Sequence, residues 1–360
     1  MNTIIRRAEK MAENMALPSG FEEEWRRTDI SGIDFDNFKK SDCNVHVNGA
    51  AALMPYEIKD NAFISMQENM LSKADNVFIL RAMSSAVTRY IRIEKNVDIE
   101  IELEQDLGTI SDVHLMFFVL PSVTANVVIK HNAGRGSFIN LVCSGLVEDN
   151  ASLNIYDLGT ELLSPYRMAH SYVELKKNAR FVHFSGMMGY SFIKQRIWVN
   201  LFGSGADALL LGASVLSGTE HYDFRTVQEH SSERTHSVSR YNLVAGDRGR
   251  AVYQGLIDVK ERAKGTDAYL SNKNLLLSDD AEVSSIPTLS ISTDDVRCSH
   301  GSTSGKVGDK ELFYLRSRGL DKAQATALLS SAHIKDVLDL IPDREAKIIY
   351  RLAEKKIKML

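Results

Sequence analysis

From about residue 90 the apolar positions recur every second residue: Ile91 and Ile93, then Val97, Ile99, Ile101 and Leu103, with polar side chains between most of them. That alternation is what a half-buried strand requires, because successive side chains point to opposite faces. Strands of this kind follow one another with almost no helical pattern until residue 309. A recurrent step runs through them, a polar pair and then a small residue before each new strand. It appears as Lys95-Asn96-Val97, Val123-Thr124-Ala125, Asp149-Asn150-Ala151, Lys177-Asn178-Ala179 and Ser204-Gly205-Ala206. The third residues lie 28, 26, 28 and 27 positions apart, and Arg262-Ala263 repeats the step 57 further on, about two periods later. A fixed period of this length with strands as the repeating unit predicts a stacked solenoid, a right-handed parallel β-helix. A β-sandwich with evenly spaced turns is the competing architecture, and the regular period favours the solenoid.

The ends read differently. Residues 1–17 place Ile4, Ile5, Ala8, Met11 and Met15 near one helical face, and Pro18-Ser19-Gly20 stops that element. Residues 21–75 read as mixed short elements. At the other end Asp309 is expected to N-cap a helix carrying Leu312, Phe313 and Leu315, with Gly319 as its stop. Asp321 and Gln324 have capping-box spacing, and Leu328, Leu329, Ala332, Val337 and Leu340 give an apolar stripe before Pro342. The last helix runs from about Asp343 with Ile349, Leu352, Ala353, Ile357 and Leu360 on one side, leaving Lys355, Lys356 and Lys358 as its solvated face. The expected division is 1–75 (N-terminal helical and mixed), 76–305 (β-helix core) and 306–360 (C-terminal helical module).

Composition narrows the function classes. The 360 residues carry a formal net charge of -4, so no global basic field would hold nucleic acid. The apolar runs fall well short of the roughly 20 residues that span a bilayer, and the charged N-terminus has no signal-peptide core, so the chain reads as cytoplasmic. Cys43, Cys143 and Cys298 are odd in number and far apart, which suits a reducing compartment and provides no disulfide framework.

Candidate chemistry is sparse. Cys298 and His300 are two apart, so on a strand they share one face and could both be ligands to one metal centre. The alternative for Cys298 is a small packing thiol. His221, Asp223, His230 and His236 could meet across adjacent coils, although hydrogen-bonding roles are commoner for such histidines than metal binding. Gly301 through Val307 imitates a phosphate loop but has three residues between its glycines, where four are needed, and Val307 where a hydroxyl is needed. No nucleotide site is expected.

The stretch Asp294-Asp295-Val296-Arg297-Cys298-Ser299-His300-Gly301, followed by Phe313-Tyr314-Leu315-Arg316-Ser317-Arg318-Gly319, resembles the C-terminal signature of the SufB/SufD family. His221 through Thr226, Ala251 through Gly255, Leu275 through Asp279, Pro287, and Glu24-Trp25-Arg26-x-Thr28 agree with it. The clear resemblance covers about residues 215–345. It implies a β-helix core between helical regions, acting in Suf iron–sulfur cluster assembly, pairing with a SufB-like chain through the β-helix and docking a SufC-like ATPase on the C-terminal helices. It also implies a role in assembly at the subunit interface for His300. Asn272 stands where SufB has a cysteine, and Gly301 where SufB tends to have glutamate; both departures favour the SufD branch. The expected role is therefore a non-catalytic subunit, with a transient cluster at an interface as cargo.

Two other readings remain open. As a homodimer the chain could itself be the scaffold, using Cys298 and His300 from both copies. A carbohydrate-active β-helix enzyme would need paired carboxylates such as Asp294 and Asp295, assisted by Arg297 or His300, but neighbouring strand residues face opposite ways.

Overall fold

The computed structural model describes residues 1–53, 58–159, 162–163 and 165–360. Helix α1 (Asn2–Glu13) opens the chain, and three short strands follow: β1 (Lys39–Lys40), β2 (Asn44–Asn48) and β3 (Ala52–Leu53). Helices α2 (Asn61–Ser72) and α3 (Val77–Met83) lead into the repeating region. Their N-caps, Asp60 and Asn76, accept from the backbone N–H groups of Phe63 and Ile79, which satisfies donors a helix start leaves free.

Sixteen strands then wind through eight coils of two. The first four coils are β4 (Val87–Ile93) and β5 (Val97–Gln105), β6 (Thr109–Val119) and β7 (Thr124–Ala133), β8 (Phe138–Val147) and β9 (Ser152–Gly159), β10 (Tyr166–Leu175) and β11 (Arg180–Met188). The last four are β12 (Phe192–Leu201) and β13 (Asp207–Leu216), β14 (His221–His230) and β15 (His236–Ala245), β16 (Arg250–Val259) and β17 (Thr266–Leu276), β18 (Glu282–Ile291) and β19 (Val296–Lys306). Even-numbered strands stack in parallel in one sheet and odd-numbered ones in the other, each pairing with the strand one coil away. The β-solenoid expected from the period is the fold observed.

The physical basis of the repeated step is a corner. Asn150, Asn178 and Gly205, each preceding the small residue, have positive φ of 58°, 54° and 72°. Asparagine and glycine are the residues that enter this left-handed region most readily. The small residue then turns inward, where Ala151, Ala179 and Ala206 are fully buried.

The alternation that identified the first strands fades along the solenoid because both faces become buried. Ile101, Leu115, Val127, Leu141 and Val173 fill the interior of the early coils. On the outer face of the even-numbered sheet, α1–α3 cover Tyr90, Met116, Val142 and Tyr172, and residues 23–38 form a strap over Phe138, Met168 and Phe192. The C-terminal helices α4 (Asp309–Ser317), α5 (Lys322–Leu338) and α6 (Asp343–Ile357) complete the chain. Helices α5 and α6 cover the odd-numbered sheet, with Ile334, Val337, Ile349 and Ile357 against Phe184, Leu211 and Val215.

Local expectations needed three corrections here. Gly308 holds the N-cap of α4; Asp309 is the first helical residue and makes no cap bond, though its charge still suits the helix start. Leu328, Ala332 and Leu340 of the predicted stripe are exposed, because α5 turns Ala325, Ser330, Ile334 and Val337 toward the sheet. Lys356, expected in solvent, is buried and paired with Glu220 at 2.5 Å. The Asp321–Gln324 capping box forms as its spacing requires.

Candidate functional site

The last coil differs from the others because, among the described residues, no further strand stacks on it. Among the described residues, the backbone of β19 pairs only with β17 and that of β18 only with β16, so each leaves an edge of unpaired backbone groups. Residues that would be fully buried in an inner coil are only partly covered here, and most of β19 after Gly301 is exposed.

Val296 and Cys298 pack against the interior of the solenoid. By alternation His300 and Ser302 share that side, and Ser302 Oγ donates to Ser285 Oγ of β18 at 2.8 Å across the open coil. The structure therefore brings Cys298 and His300 to one side of an edge strand. Cys298 is half-buried and His300 exposed. Burial raises the Cys298 thiol above its usual range, and Asp267 adds to this against an opposing backbone hydrogen bond at Ala268. The thiol is thus held mostly protonated at neutral pH, so ligation by its thiolate would release a proton. Among the described residues no group of three or more His, Cys, Asp or Glu side chains is arranged to hold a metal ion. Cys298 and His300 are two donors without a completed set in this chain.

Asn272 lies opposite Ser302 in the register. It is buried, and its amide donates to the Tyr241 carbonyl and the Asn274 side chain, both at 3.1 Å. A neutral amide satisfied in this way offers no thiolate-like ligand. Asp294 and Asp295 lie in the exposed turn between β18 and β19, and Arg297 is paired with Asp267 at 3.2 Å. Gly301 through Lys306 belong to β19, so the phosphate-loop imitation is extended strand and not a loop entering a helix.

The other histidine set does not converge. His221 and His230 occupy opposite ends of β14, a separation of about 30 Å at the usual strand rise. His230 is buried between the hydroxyls of Thr235 and Ser237, at 2.8 Å each. Asp223 is buried against Lys194 at 2.6 Å and accepts from Thr28. His236 is exposed and pairs with Asp207 at 2.6 Å. Cys43 and Cys143 are buried, and burial raises both thiols, Cys43 to about 12.

Two features were missed from residue patterns alone. The strap motif beginning at Glu24 is an anchor: Glu24 accepts from Arg196 at 2.9 Å and pairs with Arg225 at 3.1 Å, while Lys194 lies 4.5 Å over the Trp25 ring. The second is α4, which buries no residue; Phe313 is 74% exposed, Tyr314 59% and, on α5, Leu328 50%. Large apolar side chains left in solvent on a helix that buries none of its residues are the kind of surface that marks an interaction site.

Comparison with known proteins agrees with this geometry. Residues 104–333 match the family model described as SUF system FeS cluster assembly, SufBD core domain. The chain is 31% identical over 218 residues to the iron–sulfur cluster assembly protein SufD of Escherichia coli, covering 61% of this chain and 50% of that protein. It is 29% identical over 248 residues to an iron–sulfur cluster assembly SufBD family protein of Mycobacterium tuberculosis, covering 67% and 62%. A Synechocystis member of the same family is 26% identical over 205 residues, covering 57% and 45%. The aligned part thus spans about half to three-fifths of these relatives.

Proposed function

Since the chain belongs to the SufB/SufD family of SUF-system iron–sulfur cluster assembly proteins, and is SufD-like within it, we propose that it is a non-catalytic subunit of such an assembly complex. It pairs with a SufB-like chain through the open end of its β-helix and docks a SufC-like ATPase on its C-terminal helices, in the cytoplasm. The observation that carries this reading is the unpaired last coil, where two edge strands, Cys298 and His300 meet at a surface continuous in sequence with the exposed α4. A cluster would pass through as cargo, taking Cys298 and His300 from this chain and its remaining ligands from the partner. The retained domain division is 1–75, 76–305 and 306–360, with the last segment as the ATPase-docking module.

The experiment is a pull-down of the full chain from its own cytoplasm, with bound proteins identified. The reading expects both an ABC-type ATPase and a SufB-like chain. Phe313→Glu with Tyr314→Glu is expected to lose the ATPase and keep the SufB-like chain, because α4 buries none of its residues in this chain. Recovery of the chain with itself alone would instead favour the homodimeric scaffold, and binding of neither would reject both.

A further inference from the structure

The outer face of the even-numbered sheet carries a concave surface at the starts of β14, β16 and β18, lined in part by the strap. It is a cleft of about 540 Å³ whose charged lining comprises Arg27, Asp29, His221, Arg248, Arg250 and Glu282. His221, Arg250 and Glu282 are consecutive register partners on β14, β16 and β18. Their backbones therefore stand about 4.8 Å apart in one row. Arg27 and Asp29 come from the strap, and Arg248 comes from the turn before β16.

The charges do not cancel locally. Arg250 meets Glu282 at 3.4 Å, and one Asp29 oxygen is occupied by the Ser31 backbone N–H at 2.8 Å. Arg27 and Arg248 have no ion-pair partner among the described residues, and both are exposed. His221 stacks on Phe192, with ring centroids 5.7 Å apart, and its Nε2 is buried without a hydrogen-bond partner. Three arginines and two carboxylates line one cavity, Arg250 and Glu282 among them already paired, with an unused imidazole nitrogen beside them. Guanidinium forks match phosphate oxygens in paired hydrogen bonds. A cavity of this size lies within the roughly 300–1,000 Å³ typical of small-molecule sites. A single carboxylate has too few oxygens to engage three forks, whereas a diphosphate has enough.

The cleft also joins two parts of the chain. Thr219 also lines the cleft, its turn is tied to α6 through Glu220 and Lys356 at 2.5 Å, and the turn carrying Arg248 begins at Gly246, against which Leu360 packs. An occupant would therefore bridge the N-terminal strap and the turns that seat the end of the C-terminal module.

We propose that this cleft binds a small molecule through a diphosphate group, gripped by Arg27, Arg248 and Arg250. The proposal is independent of the assembly role. Isothermal titration of the full chain with inorganic pyrophosphate, and separately with inorganic phosphate, at fixed ionic strength tests it. One saturable site is expected, with pyrophosphate at least tenfold tighter than phosphate. Arg27→Ala and Arg248→Ala should each weaken pyrophosphate at least tenfold, while Lys40→Ala, in a separate surface cleft, should leave it unchanged. Absence of saturable heat, equal or tighter binding of phosphate, or an equal loss with Lys40→Ala would each overturn it. Circular dichroism of the exposed-arginine variants separates lost binding from lost fold.

Discussion

Arg167 projects into the solenoid with no exposed side-chain surface, and its partner Asp157 is almost as completely enclosed. The two meet at 2.5 Å, with Gln195 donating to the same carboxylate oxygen at 3.3 Å. Burial raises the Asp157 carboxyl above its usual range, against the pull of Arg167. Such a pair contributes little net stability, but removing one member leaves a buried charge. Asp157→Ala is therefore expected to cost about 3–5 kcal/mol in urea unfolding, and Asp157→Ala with Arg167→Met considerably less. Neither residue stood out in the sequence, because ten positions of chain separate them and only the coil brings them face to face. Histidines give a second prediction at this scale. Burial holds His114, His183 and His230 at about 3, while an unfolded chain protonates them near 6.5. The unfolded state thus binds more protons between those values, so stability is full above about pH 6.5 and falls as pH drops toward 3. Melting temperature measured from pH 7 to pH 4 should decline steadily, and a flat profile would contradict the burial of these rings.

At the scale of elements, the corners were the most legible feature and the helix faces the least. Asn178 has φ 54°, and its amide donates to Asn150 one coil back at 3.2 Å. Asn178→Ala is expected to cost about 1–2 kcal/mol for the left-handed backbone alone, and Asn178→Gly less, since glycine accepts that conformation freely. Equal losses in chemical denaturation would place the cost in the side-chain ladder instead. Corner chemistry is local, which is why a recurring dipeptide reported it. The exposed residues on α5 show the opposite case. Leu328 and Ala332 fit a helical stripe as well as Ile334 and Val337 do, and periodicity could not say which of two overlapping faces would meet the sheet.

Across the whole molecule, two helical groups close the outer faces of the solenoid and leave its last coil open. Gly186 and Ile349 illustrate the fit: a Cβ at Gly186 would lie 2.5 Å from the Ile349 side chain, so the missing methyl makes room for α6. Ile349→Asp would put an unpaired charge in that contact. Limited proteolysis should then release the segment after α4 while the β-solenoid resists digestion; simultaneous loss of both would mean that the helices and solenoid fold as one unit. The sequence by itself determined the solenoid, its coil length, the corners and the presence of three terminal helices. Each of these follows from backbone geometry repeated over neighbouring residues. Tertiary structure alone decided that His221, Asp223, His230 and His236 do not converge on one point, that Lys356 meets Glu220, that Glu24 anchors a strap, and that three arginines line one cleft. Those pairings join segments far apart in the chain. Stacking of coils and docking of the ends set which charges become neighbours, and no local pattern carries that information.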